Sequence, residues 1–124
     1  MLPILGAALC PEDLVNHHNW LRKKPRDLEL QGFHGEAVIG VDVKAKAAEL
    51  RPLLVGIQGR IGMHGPFRGF DLDTVDADVR AIAQKRLSEG LDACGWLGAT
   101  QVVVHSPIKA WHHENLDNQD DGWE

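Results

Sequence analysis

The sequence predicts an α/β domain built on a parallel sheet, and three observations carry that expectation. Short apolar or β-branched runs alternate with stretches of helical periodicity, the pattern of successive β–α units. Each of the four short runs closes on a turn bearing glycine or proline. The segments between them are long enough for the helical crossovers that parallel neighbours require.

The elements follow in order. Ile4 to Leu9 is a short apolar run suited to a strand buried on both faces. Pro11-Glu12-Asp13 opens a helix, with proline at the first helical position and acids at the positive end of the dipole. Leu14, His18 and Leu21 recur at i, i+4 and i+7, and Lys23-Lys24-Pro25 ends the helix. Asp27-Leu28-Glu29-Leu30 alternates strictly, which sends the two leucines to one face and the two acids to the other. After a loop carrying Gly32, Gly35 and Gly40, an Ala-, Lys-, Glu- and Leu-rich stretch predicts a helix from Val43 to Leu54, with Pro52 near its end. Arg60 to His64 forms the third strand. Val79, Ile82, Ala83, Leu87, Leu91 and Cys94 recur at helical spacing and predict the longest helix. Asp73, Asp76 and Asp78 crowd its first turn, Thr74 is placed to cap it, and Gly95 and Gly98 supply stops. Thr100 to His105, almost wholly β-branched, is the fourth strand. Residues 109–124 read as an acidic tail or the start of a fourth helix.

Composition bounds the function. The 124 residues allow one domain with a real core, and 44% apolar with 25% charged residues is ordinary for a globular protein. The net charge of −5 sits in the tail, where Glu114, Asp117, Asp120, Asp121 and Glu124 follow the last base, Lys109. Residues 1–113 are neutral by count, so the chain has no electrostatic footprint for nucleic acid. Cys10 and Cys94 lie far apart without a CxxC pattern and read as small buried hydrophobes in a reducing compartment. The apolar start lacks a basic n-region, and no run approaches the ~20 apolar residues of a membrane span. A cytoplasmic protein without a membrane partner is expected.

Right-handed crossovers place all strand C-termini on one edge, which carries the site in open and closed α/β folds alike. The residues just past each strand are therefore the candidates: Glu29 and Gln31, His64 with Phe67 and Arg68, and His105 with Ser106 and Trp111. His64 and His105 each end a strand before a proline-bearing turn, and adjacent strands lie about 4.8 Å apart. Two imidazoles side by side can share a metal, flank one substrate or move protons near pH 7. The plainer alternative is two unrelated strand-end histidines. Gly65 would let the backbone approach a ligand. Glu29 either faces a site, where it needs a cation or donor, or is an exposed edge-strand acid. Arg68 can hold an anionic or hydroxyl-rich substrate or be merely solvated, and Trp111 can stack on a sugar face or pack. His112-His113-Glu114 are neighbours on a loop and seldom converge on one ion, and His17-His18 sit on the first helix, far from the strand ends.

The stretch Ile61-Gly62-Met63-His64-Gly65-Pro66-Phe67, then Asp71-Leu72-Asp73, the long helix, Leu97-Gly98-Ala99 and Val102-Val103-Val104-His105-Ser106-Pro107 resembles the sugar phosphate isomerase/epimerase group. That group belongs to the xylose-isomerase-like TIM barrel superfamily. Leu5-Gly6-Ala7-Ala8 and Asp27-Leu28-Glu29-Leu30-Gln31 look like its first two strands. The resemblance implies a single N-terminal half-barrel domain over 1–124, with four parallel strands and three to four helices. It implies a divalent metal (Zn, Mn, Co or Mg) and a small sugar or sugar-phosphate substrate isomerised by proton transfer or hydride shift. His64 and His105 become metal ligands and catalytic residues, and Glu29, Arg68 and Trp111 become substrate contacts. In the apurinic endonuclease relatives the matching histidines are metal ligands. In the isomerase branch they more often lie near the substrate, and the main metal site comes from later strands that lie past the end of this sequence. A TIM barrel needs eight strands. Four would leave two unpaired edges and an apolar inner face open to water, so a second half-barrel is expected, either another copy or a C-terminal half. The alternatives are an apurinic-endonuclease-like phosphodiesterase and a non-catalytic half-barrel that self-assembles.

Overall fold

A computed structural model describes residues 3–35, 38–69 and 72–106. Strand β1 (Gly6–Leu9) leads into helix α1 (Pro11–Arg22) and strand β2 (Asp27–Leu30). Helix α2 (Val43–Leu50) continues into a 3₁₀ turn at Arg51–Leu54, followed by strand β3 (Ile61–His64), helix α3 (Ala77–Leu97) and strand β4 (Gln101–Val103). All three strand pairs are parallel, and the sheet order is β1-β2-β3-β4. The order never reverses, so the sheet is singly wound, as four consecutive units of a (β/α) barrel would be. A doubly wound sheet would show a reversal.

One face of the sheet carries the core. Leu28, Leu30 and Met63 are buried there with Leu14 and Leu21 of α1, Ala47 and Leu50 of α2, and Ala93, Cys94 and Leu97 of α3. The strict alternation of β2 produces this directly, since its leucines are buried and its acids are not. Ala7, Leu9, Ile61 and Val102 share the core face by register, and the alternate strand residues form the other. By register these are Gly6 and Ala8, Asp27 and Glu29, Gly62 and His64, and Gln101 and Val103. The apolar inner face expected from the sequence is not there. This open face is small and polar, with Val103 as its one large apolar residue, so contact with water costs little. A shallow trench of about 300 Å³ runs along it.

Several boundaries differ from expectation. β1 begins at Gly6, and Ile4 and Leu5 before it are exposed. α2 stops at Leu50 rather than Leu54, because Pro52 offers no N–H to continue the helix, and the chain tightens into the 3₁₀ turn. β4 ends at Val103, which leaves His105 two residues beyond the strand. Asp76, not Thr74, caps α3. Its Oδ1 accepts from the N–H groups of Asp78 (2.9 Å) and Val79 (3.2 Å), while the Thr74 hydroxyl accepts from Asp76 N. Gly98, with φ of 73°, closes the helix as expected.

The buried stripe of α3 is also not the expected one. Ala83, Gly90, Ala93, Cys94 and Leu97 are buried, whereas Val79, Ile82 and Leu91 are 40, 55 and 60% exposed. Axial register accounts for Val79 and Ile82, whereas Leu91 lies about 100° around the helix from Gly90. Gly90 lies against the ring of Pro66, just past the end of β3, and the Cys94 thiol points to the carbonyls of Ala99 and Gln101 at the start of β4. The thirteen residues of α3 before Gly90 therefore rise roughly 20 Å beyond that level, away from the strands. Small residues at the contact let the helix sit close, and the larger side chains above it find no sheet to cover. Among the described residues no helix is long and apolar enough to cross a membrane. The segment at 109–124, read as a tail or fourth helix, lies outside the described residues.

Candidate functional site

The turns after β2, β3 and β4 converge at the C-terminal edge of the sheet. The turn after β3 is held by Gly65, whose N–H donates to Val103 O at 2.8 Å. A Cβ on Gly65 would stand 3.1 Å from that same oxygen and from the Val102 side chain. Glycine is needed here for contact with β4, rather than for approach to a ligand. That contact draws His64 beside the segment that follows β4.

Four rings gather at this edge. His64 and His105 have centroids 5.1 Å apart, and their Nε2 atoms face each other at 3.3 Å. Phe67 lies flat on His105 and tilts 5.0 Å from His64. His34, from the turn after β2, meets His64 edge-on at 5.4 Å and stacks on Phe67 at 5.6 Å. The expected pairing of His64 with His105 is thus realised, although His105 reaches it from beyond the strand.

The protonation of the cluster follows from its partners. His64 Nδ1 lies 3.0 Å from Gly65 O, and a carbonyl only accepts, so in the neutral ring Nδ1 carries the proton and Nε2 is the acceptor. His34 Nδ1 accepts from Gly32 N at 3.3 Å, which leaves its Nε2–H as a donor in the neutral ring. Burial pushes the His34 pKa below the ordinary imidazole value, and the electrostatic influence of its basic neighbours, His64 and Arg68 foremost, pushes it further, so both effects favour the neutral ring. Lys46 braces the same turn, donating to Gly32 O at 2.7 Å, and burial lowers its pKa against a weaker opposing pull from Glu12.

The His64–His105 pair fits two corners of a metal site. Two nitrogens at Zn–N distances of about 2.0–2.1 Å in tetrahedral geometry lie roughly 3.3–3.4 Å apart, which matches the observed separation. Among the described residues no group of three or more His, Cys, Asp or Glu is placed to hold a metal ion. A complete set therefore needs ligands from outside the described residues, or water.

The other candidates are distributed unevenly. Glu29 lies on an interior strand, flanked by β1 and β3, so it is not an edge-strand acid. Its Oε1 accepts from Gln31 Nε2 at 2.6 Å, which supplies the donor it needs, and it lines the trench of the open face. Arg68 is exposed, with its guanidinium 5.6 Å from the Phe67 ring and its stem against Gly35. Trp111 and the His112-His113-Glu114 run lie outside the described residues. His17 and His18 sit on α1 as expected.

Sequence reasoning assigned no role to His34, and weighed Phe67 only as a neighbour of His64. A signal for His34 was present. His34-Gly35 after β2 repeats the His64-Gly65 arrangement after β3. Compared with protein-family models, curated proteins and solved structures, the chain matches none.

Proposed function

We propose that the C-terminal edge of this sheet is one half of the active site of a metal-dependent sugar or sugar-phosphate isomerase or epimerase. The observation that supports it most is the 3.3 Å approach of the His64 and His105 Nε2 atoms, one of them fixed as an acceptor by its own Nδ1 contact. The resemblance of residues 61–67 and 102–107 to the xylose-isomerase-like group points the same way. In this reading His64 and His105 hold a divalent metal such as Zn, Mn, Co or Mg. The metal, when bound, polarises substrate oxygens for proton transfer or hydride shift. His34 donates a hydrogen bond to a substrate oxygen from Nε2–H. Phe67 excludes water and keeps His105 oriented. Glu29, held by Gln31, and Arg68 position the hydroxylated substrate. The remaining ligands come from a second half-barrel. The phosphodiesterase alternative also uses both histidines, but the neutral charge balance of residues 1–113 disfavours a nucleic-acid substrate.

The test is metal content. Cobalt(II) added to the chain should give a ligand-field spectrum with nitrogen coordination, saturating near one ion per chain. The His64→Ala/His105→Ala variant should lose it. Metal retained in full by the double variant would sink the reading.

A further inference from the structure

Helix α3 has one covered side and one open side. α2 packs against the side that carries Trp96, and the two helices share a groove lined by Lys44, Ala48 and Trp96. The opposite side turns toward β4. Cys94 marks it, with its thiol directed to the carbonyls of Ala99 and Gln101. Leu87 and Leu91 precede Cys94 at the i, i+4, i+7 spacing of one helical face. Leu87 is half-buried and Leu91 is exposed. On the sheet, Val102 and Val104 point to the same layer, since a Cβ on Gly65 would meet the Cγ1 atoms of both. Val104 is 53% exposed. Leu91 and Val104 flank one contact: Leu91 follows Gly90, which lies against Pro66, and Val104 stands beside Gly65. Leu87, Leu91 and Val104 therefore edge an apolar strip on the helix side of β4.

The chain itself leaves from this place. The described residues end at Ser106, and residues 107–124 follow. Plotted at 100° per residue, Ile108, Trp111, Leu116 and Trp123 fall within an arc of about 140°. Glu114, Asp117, Asp120, Asp121 and Glu124 all fall within about 120° on the opposite side. A helix so divided has an apolar stripe to bury and an acidic face for water. Continuing the right-handed winding of the first three units lays it in the layer of α1, α2 and α3, next to α3. A helix over 108–121 would be roughly 20 Å long, about twice the rise from Leu87 to Cys94, so it spans the strip. The open face of the sheet is a poorer host, because there the stripe would meet Asp27, Glu29 and Gln101.

We infer that residues 107–121 dock as an amphipathic helix on Leu87, Leu91 and Val104 of the same chain and close the helix side of β4. The inference does not depend on the metal reading. It bears on the ring cluster all the same. His105 lies between Val104 and the docking segment, so its backbone is held from both sides although it stands beyond the strand.

The experiment reads the full chain by nuclear Overhauser contacts, with its mass in solution measured alongside. Contacts from the Leu91 and Val104 methyls to the Trp111 indole or the Leu116 methyls are expected, in a monomer. Leu91→Ala and Trp111→Ala should each lower the urea midpoint, and the double variant should lower it by less than the sum of the two. The wild-type contacts need no substitution, so a variant that fails to fold leaves the test intact. The inference is overturned if those contacts are absent or if the two midpoint shifts add. Contacts that appear only between differently labelled chains would give the strip to a second copy and overturn it as well.

Discussion

The ring of Phe67 lies parallel to that of His105, with 3.9 Å between centroids and 3° between planes. His105 is exposed and stands two residues past the end of β4, so the strand does not hold it. The stack, with the edge of His64, supplies the orientation instead. Aromatic pairs of this kind contribute about 0.5–1.5 kcal/mol, enough to choose one rotamer of an exposed ring.

Under the proposed metal reading, Phe67→Ala should therefore free His105 and weaken metal binding about 2–10-fold, the equivalent of the stacking energy. Phe67→Leu should recover packing without the flat stack and fall between. Cobalt titration by absorbance reads both. An unchanged affinity in Phe67→Ala would show that His105 does not depend on the ring.

Two glycines of α3 should respond to alanine with opposite signs. A Cβ at Gly90 would stand 2.6 Å from Pro66 Cδ, and a proline ring cannot swing away. Gly90→Ala should destabilise by about 1–3 kcal/mol through overpacking, after subtracting a helix-propensity gain of under ~1 kcal/mol. A Cβ at Gly95 would meet nothing within 4 Å. Gly95→Ala should stabilise by about 0.5–1 kcal/mol. Urea denaturation of the pair checks the axial register of α3. If both substitutions stabilise, Gly90 does not touch the β3 turn.

The stability of the chain should fall on the acid side, and Asp27 should account for part of that fall. Its carboxylate accepts from Arg60 Nε at 2.8 Å, Arg60 Nη2 at 2.5 Å and the Arg60 backbone N–H at 2.8 Å. These bonds hold the Asp27 pKa below the usual carboxylate value. A depressed carboxylate stabilises above its unfolded pKa, and the contribution is lost as pH falls through the folded pKa. Asp27→Asn should be less stable than the wild type at pH 7 and should lose less on going from pH 5 to pH 2. Thermal melts across that range decide it. Parallel curves for the two proteins would remove Asp27 from the acid transition.

The parts of the fold legible in the sequence are those governed by local chemistry. The alternation of Asp27 to Leu30 specified its two faces without any knowledge of neighbours. The proline at position 11 and the glycine at 98 marked helix ends for steric reasons that hold anywhere. The His64–His105 pairing was legible because adjacent parallel strands end on one edge, although the register sets His64 opposite Val103 and His105 reaches it from beyond the strand. What was not legible depended on how elements slide along one another. Val79 lies on the buried side of α3 and Ile82 beside it, yet both stand too far along the helix axis to meet the sheet, and Leu91 lies about 100° around the helix from the buried Gly90. His34 was hidden because a long glycine-rich turn carries no period from which a side chain can be placed. The small and polar character of the open face was written in Gly6, Ala8 and Gly62 and in Asp27, Glu29 and Gln101, but only the register of the strands reveals that they stand together.

That face has a geometric consequence. Gly6, Ala8 and Gly62 raise almost no relief above the backbone, so the surface is a mould rather than a peg. A sheet laid across it must bring the bulk itself, with side chains of leucine size reaching down between Glu29 and Gln101. The relief of the face comes from Asp27, Glu29, His64 and Gln101, so whatever covers it must interlock with those side chains and reach down to the glycines between them.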